Sequence, residues 1–498
     1  MDNQNQLIQA RQQKMQRLLD MGVNPYPNRS SRSHIIKDLW DNQQKFTDDE
    51  QKVTITGRII ALRRQGKVGF GNVADESGNI QIFVRKDNVG EENYEIFKSF
   101  DLGDFCQIEG SCFVTQMGEY SVRATCVTML AKAVRPLPVV KEKVVDGKTI
   151  RFDEFHDIEL RYRKRYLDLL LNPEHKHAFE LRAHIISGMR RFFENRGFLE
   201  VETPILTPLY GGAHARPFNT HHNTLDMELY LRISIELYLK RLIIGGFEKV
   251  YEIGKVFRNE GMDRAHNPEF TLLELYQAYT DLDGMIELTE SLFKFLAKEV
   301  LNTDTVTFHN TEINLTAPFR KASMLELIKE YSGFDASDFD YDKIKTFCLE
   351  HHIEVTSAAG AGKLIEEIFN HFVEPKLLQP TFVIDYPREI SPLAKAKPDD
   401  PNLVERFELF IMGNEYANAF TELNDPHDQR KRLEDQQKMR EMGDAEANVI
   451  DEDFLEALEY GMPPMGGIGI GIDRLIMLLT DNTSIKEVIL FPQMKPEN

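Results

Sequence analysis

The chain is poor in cysteine: 498 residues hold only Cys106, Cys112, Cys126 and Cys348, with no CxxC pair. That argues against a disulfide scaffold and a structural zinc ribbon; the four read as buried free thiols of a reducing cytoplasm. No uninterrupted apolar run approaches the roughly 20 residues that cross a bilayer. The opening MDNQNQLIQARQQKMQRLL lacks an apolar core and a cleavage site, which reads against a secretory signal. Excess positive charge is also missing: 60 Lys and Arg stand against 80 Asp and Glu, a net charge of −20. A generic nucleic-acid coat is therefore disfavoured, although a specific RNA partner needs only a local basic face. Gly360-Ala361-Gly362-Lys363 suggests a phosphate loop but fails GxxxxGK[ST], with Ser357 and Leu364 at the outer positions. His221-His222 and His351-His352 lack metal-cage spacing and read as surface pairs. No Ser-His or Cys-His arrangement marks a nucleophile. At 42% hydrophobic and 28% charged, the composition is that of an ordinary soluble globular protein, too long for one core.

Residues 1 to about 20 read as a helix ended by Gly22, Pro25 and Pro27. Arg11, Lys14 and Arg17 share one side of it, as a solubilising face or a phosphate-contacting arm. Five strand-like runs within 52–134, with a helical insert near Glu92–Phe100, predict a Greek-key barrel of the oligonucleotide-binding (OB) type. Arg58, Arg63, Arg64, Lys67, Phe70, Arg85 and Lys86 mix cations with an aromatic. They form either a groove that stacks single-stranded bases or a solvated face over a core Phe70. Val139–Asp157 is a polar linker, and Ile158–Leu171 a helix whose basic face suits RNA contact or an interdomain brace. His177–Asn195 is a helix ended by Gly197. Phe198–Leu206 follows as a strand in which Pro204, unable to donate to a ladder, implies an edge or interface. The expected organisation is a helical extension at 1–50, the barrel at 51–138, a linker at 139–172 and a larger domain at 173–498. The last carries a helical insertion at about 323–380.

Within the larger domain, Val250–Phe257 and Phe270–Tyr276 have strand composition. The polar loop between them, Arg258 to Glu269, is too long for a tight turn, and long ordered loops usually carry function. Arg258, Arg264 and His266 suit phosphoryl oxygens, with Glu260 and Glu269 among them. Glu236 lies in an apolar run, where an acid is costly unless paired. Asn418, Phe420 and Glu422 share a strand face. In Gly466-Gly467-Ile468-Gly469-Ile470-Gly471 the spacing is not GxGxxG, and small residues there let a ligand approach the backbone. Asp473 suits a helix N-terminus, with Arg474 in the first turn.

Phe257-Arg258-Asn259-Glu260 followed by His266-Asn267-Pro268-Glu269-Phe270-Thr271 resembles the second signature motif of class II aminoacyl-tRNA synthetases. The segment around Pro204 resembles their first motif and Gly466–Met477 their third. With Phe270–Tyr276, the loop Tyr210–Phe218 and the barrel included, the chain looks most like the lysyl-tRNA synthetases among them. The resemblance implies an α+β chain: a five-stranded OB-type barrel, then a catalytic domain built on an antiparallel sheet flanked by helices. It implies activation of lysine with ATP and transfer to tRNA in a cytoplasmic homodimer paired around Pro204.

It also implies residue roles. Arg258 bridges the lysine carboxylate and the α-phosphate, and Glu408 and Glu415 hold magnesium. Arg474 and His266 take the terminal phosphates, Phe270 stacks adenine against Arg474, and Glu260 accepts from the adenine amino group. Lysine is held by Gly212, Glu236, Glu274, Tyr276, Asn418, Phe420, Glu422 and Gly469. The anticodon meets Phe70, Gln81 and Glu119. Glu408 and Glu415 reach one ligand only if the hairpin around Gly413-Asn414 has a longer turn or a bulge, because a strict two-residue turn puts Glu408 on the face opposite Asn418. Two other readings share the fold: a non-catalytic RNA-binding or scaffolding descendant, and a ligase that attaches lysine to a protein. The intact Arg258, Glu408, Glu415 and Arg474 argue against the first, and the barrel against the second.

Overall fold

The computed structural model describes residues 2–49, 51–138, 141–145, 148–152, 155, 157–316, 318–356, 359–441 and 449–497. They form two compact units, Met1–Phe155 and His156–Asn498.

In the first unit, β1 (Lys52–Gln65), β2 (Val68–Asp75), β3 (Gly78–Arg85), β4 (Phe105–Val114) and β5 (Tyr120–Ala131) close a barrel in the order β1-β2-β3-β5-β4. Period-two alternation drives Val53, Ile55 and Ile59 of β1 inside, against Ile82, Ile108 and Val122 from other strands. The helix Lys86–Ser99 lies between β3 and β4 and buries Tyr94, Ile96 and Phe97. The N-terminal helix runs Asp2–Asp20. Arg11 donates to the carbonyls of Leu102, Ala133 and Arg135, and Lys14 pairs with Asp101 at 2.6 Å. Two of its three aligned cations thus fasten the helix to the barrel, and neither projects as a phosphate-contacting arm. The expected linker contains a hairpin, Lys141–Val145 with Lys148–Phe152.

The second unit is built on an eight-stranded sheet. Its strands are β6 (Leu199–Glu200), β7 (Lys249–Phe257), β8 (Glu269–Ala278), β9 (Arg320–Ser323), β10 (Thr381–Pro387), β11 (Leu403–Ile411), β12 (Asn414–Thr421) and β13 (Met465–Gly471). They lie in the order β9-β10-β11-β12-β13-β8-β7-β6, antiparallel except for the outermost pair at each edge. One face packs on the helices Lys176–Glu194, Leu282–Phe295 and Ile472–Leu479 through a core that includes Phe192, Phe293, Phe407 and Leu475. The helices Met324–Ser332, Tyr341–Glu350 and Ala361–Phe372 of the insertion gather a separate core around Leu327, Ile365 and Phe369.

Two expectations fail locally. The run from Phe198 to Leu206 is not one strand: Leu199–Glu200 pairs along β7, and Leu206–Thr207 belongs to a separate three-stranded sheet. Between them the Glu252 carboxylate captures both the Thr203 amide and hydroxyl, replacing a ladder that Pro204 could not continue. The helix expected over Ile158–Leu171 breaks at Lys164 (φ −117°, ψ 52°). Its basic face turns inward: Arg165 is fully buried, ion-paired to Asp168 at 2.7 Å and donating to the carbonyls of Lys486 and Leu490. Arg161 joins the same cluster through Asp168 and Glu487, so neither arginine is presented to RNA.

Candidate active site

A cleft of about 630 Å³ opens on the other face of the sheet. Fourteen of the residues named from the sequence line it: Gly212, Glu236, Arg258, Glu260, His266, Phe270, Glu274, Tyr276, Glu408, Glu415, Asn418, Phe420, Gly469 and Arg474. They come from six separate stretches of chain, and the register of the sheet brings them together: Glu274 and Asn418 each pair with Gly469 from opposite sides.

At one end of the cleft, Arg258 leaves β7 with its amide bonded to the Pro268 carbonyl, which closes the base of the loop. Its guanidinium lies 5.1 Å over the Phe270 ring. Arg474 donates to the Glu415 carbonyl at 2.7 Å and meets His266 Nε2 at 3.3 Å. Asp263 grips the other ring nitrogen of His266 at 2.8 Å and so orients it, a role the sequence reading did not assign. Asp473 accepts from the Thr271 amide and pairs with Arg182 at 2.6 Å.

The β11–β12 hairpin resolves the question of faces. Met412 (φ 52°) and Gly413 (φ 65°) form a two-residue turn in the left-handed region. The ladder then skips Tyr416, since Phe410 pairs with Glu415 but Leu409 with Ala417. This bulge places Glu408 directly opposite Asn418, whose side-chain amide donates to it at 3.3 Å. Burial, followed by repulsion from Glu415, pushes the Glu408 carboxyl up to about 7. Arg406, which the sequence reading passed over, pairs with Glu408 and also bonds Asn418 and Ser391. Period two from Glu408 would have placed it on the same face. Among the described residues no three His, Cys, Asp or Glu side chains gather as a ready metal cage. Glu408 and Glu415, two half-buried carboxylates that repel each other, nevertheless fit Mg²⁺, which is commonly bound through one or two carboxylates and completes its shell with substrate phosphates and water.

At the other end, Gly212 (φ +80°) packs so closely that a Cβ there would stand 2.9 Å from Ser234 Oγ and 3.1 Å from Glu236 Cβ. Glu274 accepts from the Ser234 hydroxyl at 2.8 Å, the Ile235 amide at 3.1 Å and the Tyr276 hydroxyl at 3.0 Å. Burial, reinforced by Glu236, outweighs these bonds and pushes it up to about 7. Glu422 does not line the cleft. It lies fully buried behind Gly467, where an added Cβ would collide with its Oε1 and with the Tyr276 ring. No donor is hydrogen-bonded to either of its oxygens, although the Lys240 ammonium is in ion-pair contact with Oε2. Burial raises its pKa well above the carboxylate range. An acid buried beneath a glycine on the cleft floor, already in contact with the Lys240 ammonium, makes a site suited to positive charge.

The three anticodon candidates lie on the barrel. Phe70 is exposed, 5.1 Å from Phe83, which is in turn 5.8 Å from Phe113 with Arg123 over it at 4.4 Å. Gln81 accepts from Ser121 at 2.9 Å, and Glu119 stands exposed in the β4–β5 turn. Phe83 and Arg123 were not named from the sequence; period two from Gln81 would have pointed to Phe83. Arg58 and Arg64 instead donate to barrel carbonyls, those of Gly103 and Phe97.

The architecture and the cleft are those of a class II tRNA synthetase: the family model for class II tRNA synthetases (D, K and N) matches residues 157–495, and an OB-fold nucleic acid binding domain matches 53–130. The chain is 50% identical over 500 residues to the lysine–tRNA ligase of Bacillus subtilis, covering 99% of this chain and 97% of that one. It is 49% identical to that of Halalkalibacterium halodurans and 48% to that of Enterococcus faecalis, again over 99% of its length. The chain therefore belongs to the lysine–tRNA ligase family.

Proposed function

We propose that the protein is a lysine–tRNA ligase that makes lysyl-adenylate from lysine and ATP, then passes lysine to the 3′ end of its tRNA. In the first step a lysine carboxylate oxygen bonds to the α-phosphorus as the bond to the leaving pyrophosphate breaks. In the second a terminal ribose hydroxyl of tRNA displaces AMP from the acyl carbon. Catalysis is by positioning and charge stabilisation, with no side-chain nucleophile. Arg258 spans the carboxylate and the α-phosphate, its guanidinium already fixed against Phe270. Arg474 and His266 bind the terminal phosphates, and Phe270 and Glu260 receive the adenine. Glu408 and Glu415 would hold Mg²⁺, which when bound neutralises phosphate charge.

The observation that carries lysine specificity is the acidic end of the cleft. Glu236 and the Gly212 carbonyl take the α-ammonium, Glu422 with Tyr276 takes the side-chain ammonium, and Glu274 aligns Tyr276. A ligand with a side-chain carboxylate would be repelled there. On the barrel, Phe70 stacks an anticodon base and Gln81 and Glu119 read base edges. The homodimer is supported by exposed Leu199 on the edge strand β6 and exposed Ile205, Leu206 and Leu209 in the segment that follows it. The cytoplasm is the compartment such an activity implies, and no helix among the described residues is long and apolar enough to cross a membrane. Lysine-dependent exchange of pyrophosphate into ATP, with other amino acids as controls, tests the reading. Glu422→Gln is expected to weaken lysine about tenfold or more and ATP little, as loss of one charge-assisted partner does. Equal loss for both substrates would refute the assignment.

A further inference from the structure

Buried behind the acidic end of the cleft is a cation that the proposed reaction does not use. Lys240, one turn after Glu236 on the helix Glu236–Ile244, is fully buried. Its ammonium bridges the Glu236 and Glu422 carboxylates and lies 5.4 Å from the Phe420 ring and 5.9 Å from the Tyr276 ring. We propose that Lys240 is a positioning residue that sets the charge of the amino-acid pocket, so that its three carboxylates and one ammonium select a ligand carrying two positive charges. Burial works against ionisation of Glu274 and Glu422, and Lys240 favours it at Glu422; with all three acids ionised the pocket carries three negative charges and Lys240 offsets one, leaving two. That matches a diammonium ligand whose own carboxylate faces Arg258. The inference rests on the lysine reading above and deepens it.

Among the described residues, Lys240 is the cation paired with Glu236 and Glu422. β8 contributes Glu274 and Tyr276, β12 contributes Phe420 with Glu422 just past its end, and β13 contributes the glycines Gly467 and Gly469, which carry no charge. The acids acting on Lys240 are Glu236 and Glu422. The neighbouring cations are engaged elsewhere, Arg241 with Asp451 at 2.7 Å and Arg432 with Asp428 at 2.8 Å. Burial drives Glu422 toward its protonated form and Lys240 opposes it. A protonated Glu422 cannot hold an ammonium, so without Lys240 lysine binding should need a higher pH.

Lys240→Met preserves the side chain's length and removes the charge. In lysine-dependent pyrophosphate exchange followed from pH 6 to 9, it should raise the KM for lysine about tenfold or more with the KM for ATP within twofold. The midpoint of the rise of kcat/KM for lysine with pH should also move upward. If the single variant does not fold, Lys240→Met/Glu422→Gln restores the count of two negative charges. It should bind lysine weakly and, with no carboxyl left at 422 to titrate, lack the upward-shifted midpoint of Lys240→Met. An unchanged lysine KM and pH profile in Lys240→Met, equal loss of lysine and ATP, or a shifted midpoint in the double variant would each overturn the proposal. Wild-type protein that exchanges pyrophosphate without lysine preference would instead refute the lysine reading beneath it.

Discussion

Gly467 and Gly469 are two residues apart on β13 and do different work. A Cβ on Gly467 has nowhere to go, because Glu422 Oε1 and the Tyr276 ring occupy its position. A Cβ on Gly469 would meet nothing closer than Glu274 Cγ at 3.9 Å, so its space is held open toward the cleft. Substitution separates the two. Gly467→Ala should destabilise the fold by about 1–3 kcal/mol, as overpacking does, and raise the KM for lysine. Gly469→Ala should leave the melting temperature nearly unchanged yet raise the KM for lysine as well. Thermal unfolding alongside exchange kinetics reads both, and a Gly467→Ala protein of full stability would contradict the packing described. The motif identified this strand as a place of close approach, because period and small side chains are visible in a sequence. It could not reveal that one glycine admits internal side chains and the other a ligand. That division depends on Glu422 arriving from β12, a partner set by register.

At the scale of elements, the β11–β12 hairpin shows how little slack separates a working site from a regular sheet. A tight turn alone would have put Glu408 and Asn418 on opposite faces; one unpaired residue, Tyr416, restores them to the same one. The need for an irregularity was legible from the residues because parity is countable, whereas its location was not, since Tyr416 is skipped for packing reasons. Its side chain is buried in the sheet's main core beside Ala417. The break in the strand before Pro204 and the inward-turned Arg165 were illegible for a similar reason. Each depends on a distant partner, Glu252 in one case and the carbonyls of Lys486 and Leu490 in the other. The turn that feeds the bulge is exacting. Gly413 is at φ 65°, and a Cβ there would stand 3.2 Å from the Glu374 carbonyl. Gly413→Ala should therefore cost about 1–3 kcal/mol, the range for a strained backbone position, and displace Glu415. The expected kinetic signature is a higher KM for ATP with the lysine KM within twofold, since Glu236, Glu274 and Glu422 lie on other elements or at the far end of β12.

At the scale of the whole molecule, the chain separates into a barrel unit and a sheet unit, each with its own apolar core. The division of labour is accordingly testable one unit at a time within the intact protein. The barrel was legible from its alternation, but the cations first grouped as a binding groove were only partly so. Arg58 and Arg64 are tied to carbonyls, while Phe70, Phe83, Phe113 and Arg123 form the aromatic and cationic surface that remains. Composition marks which residues can bind RNA; hydrogen bonding within the barrel decides which are available. An exposed ring that stacks one base contributes about 1–3 kcal/mol, roughly five- to 150-fold in affinity. Phe70→Ala should thus raise the KM for tRNA within that range in aminoacylation. Because the ring is part of the barrel and the activation cleft belongs entirely to the other unit, lysine-dependent pyrophosphate exchange without tRNA should be unaffected. Loss of both activities together would mean that Phe70 maintains the fold, and binding of bases would then have to fall to Phe83, Phe113 and Arg123.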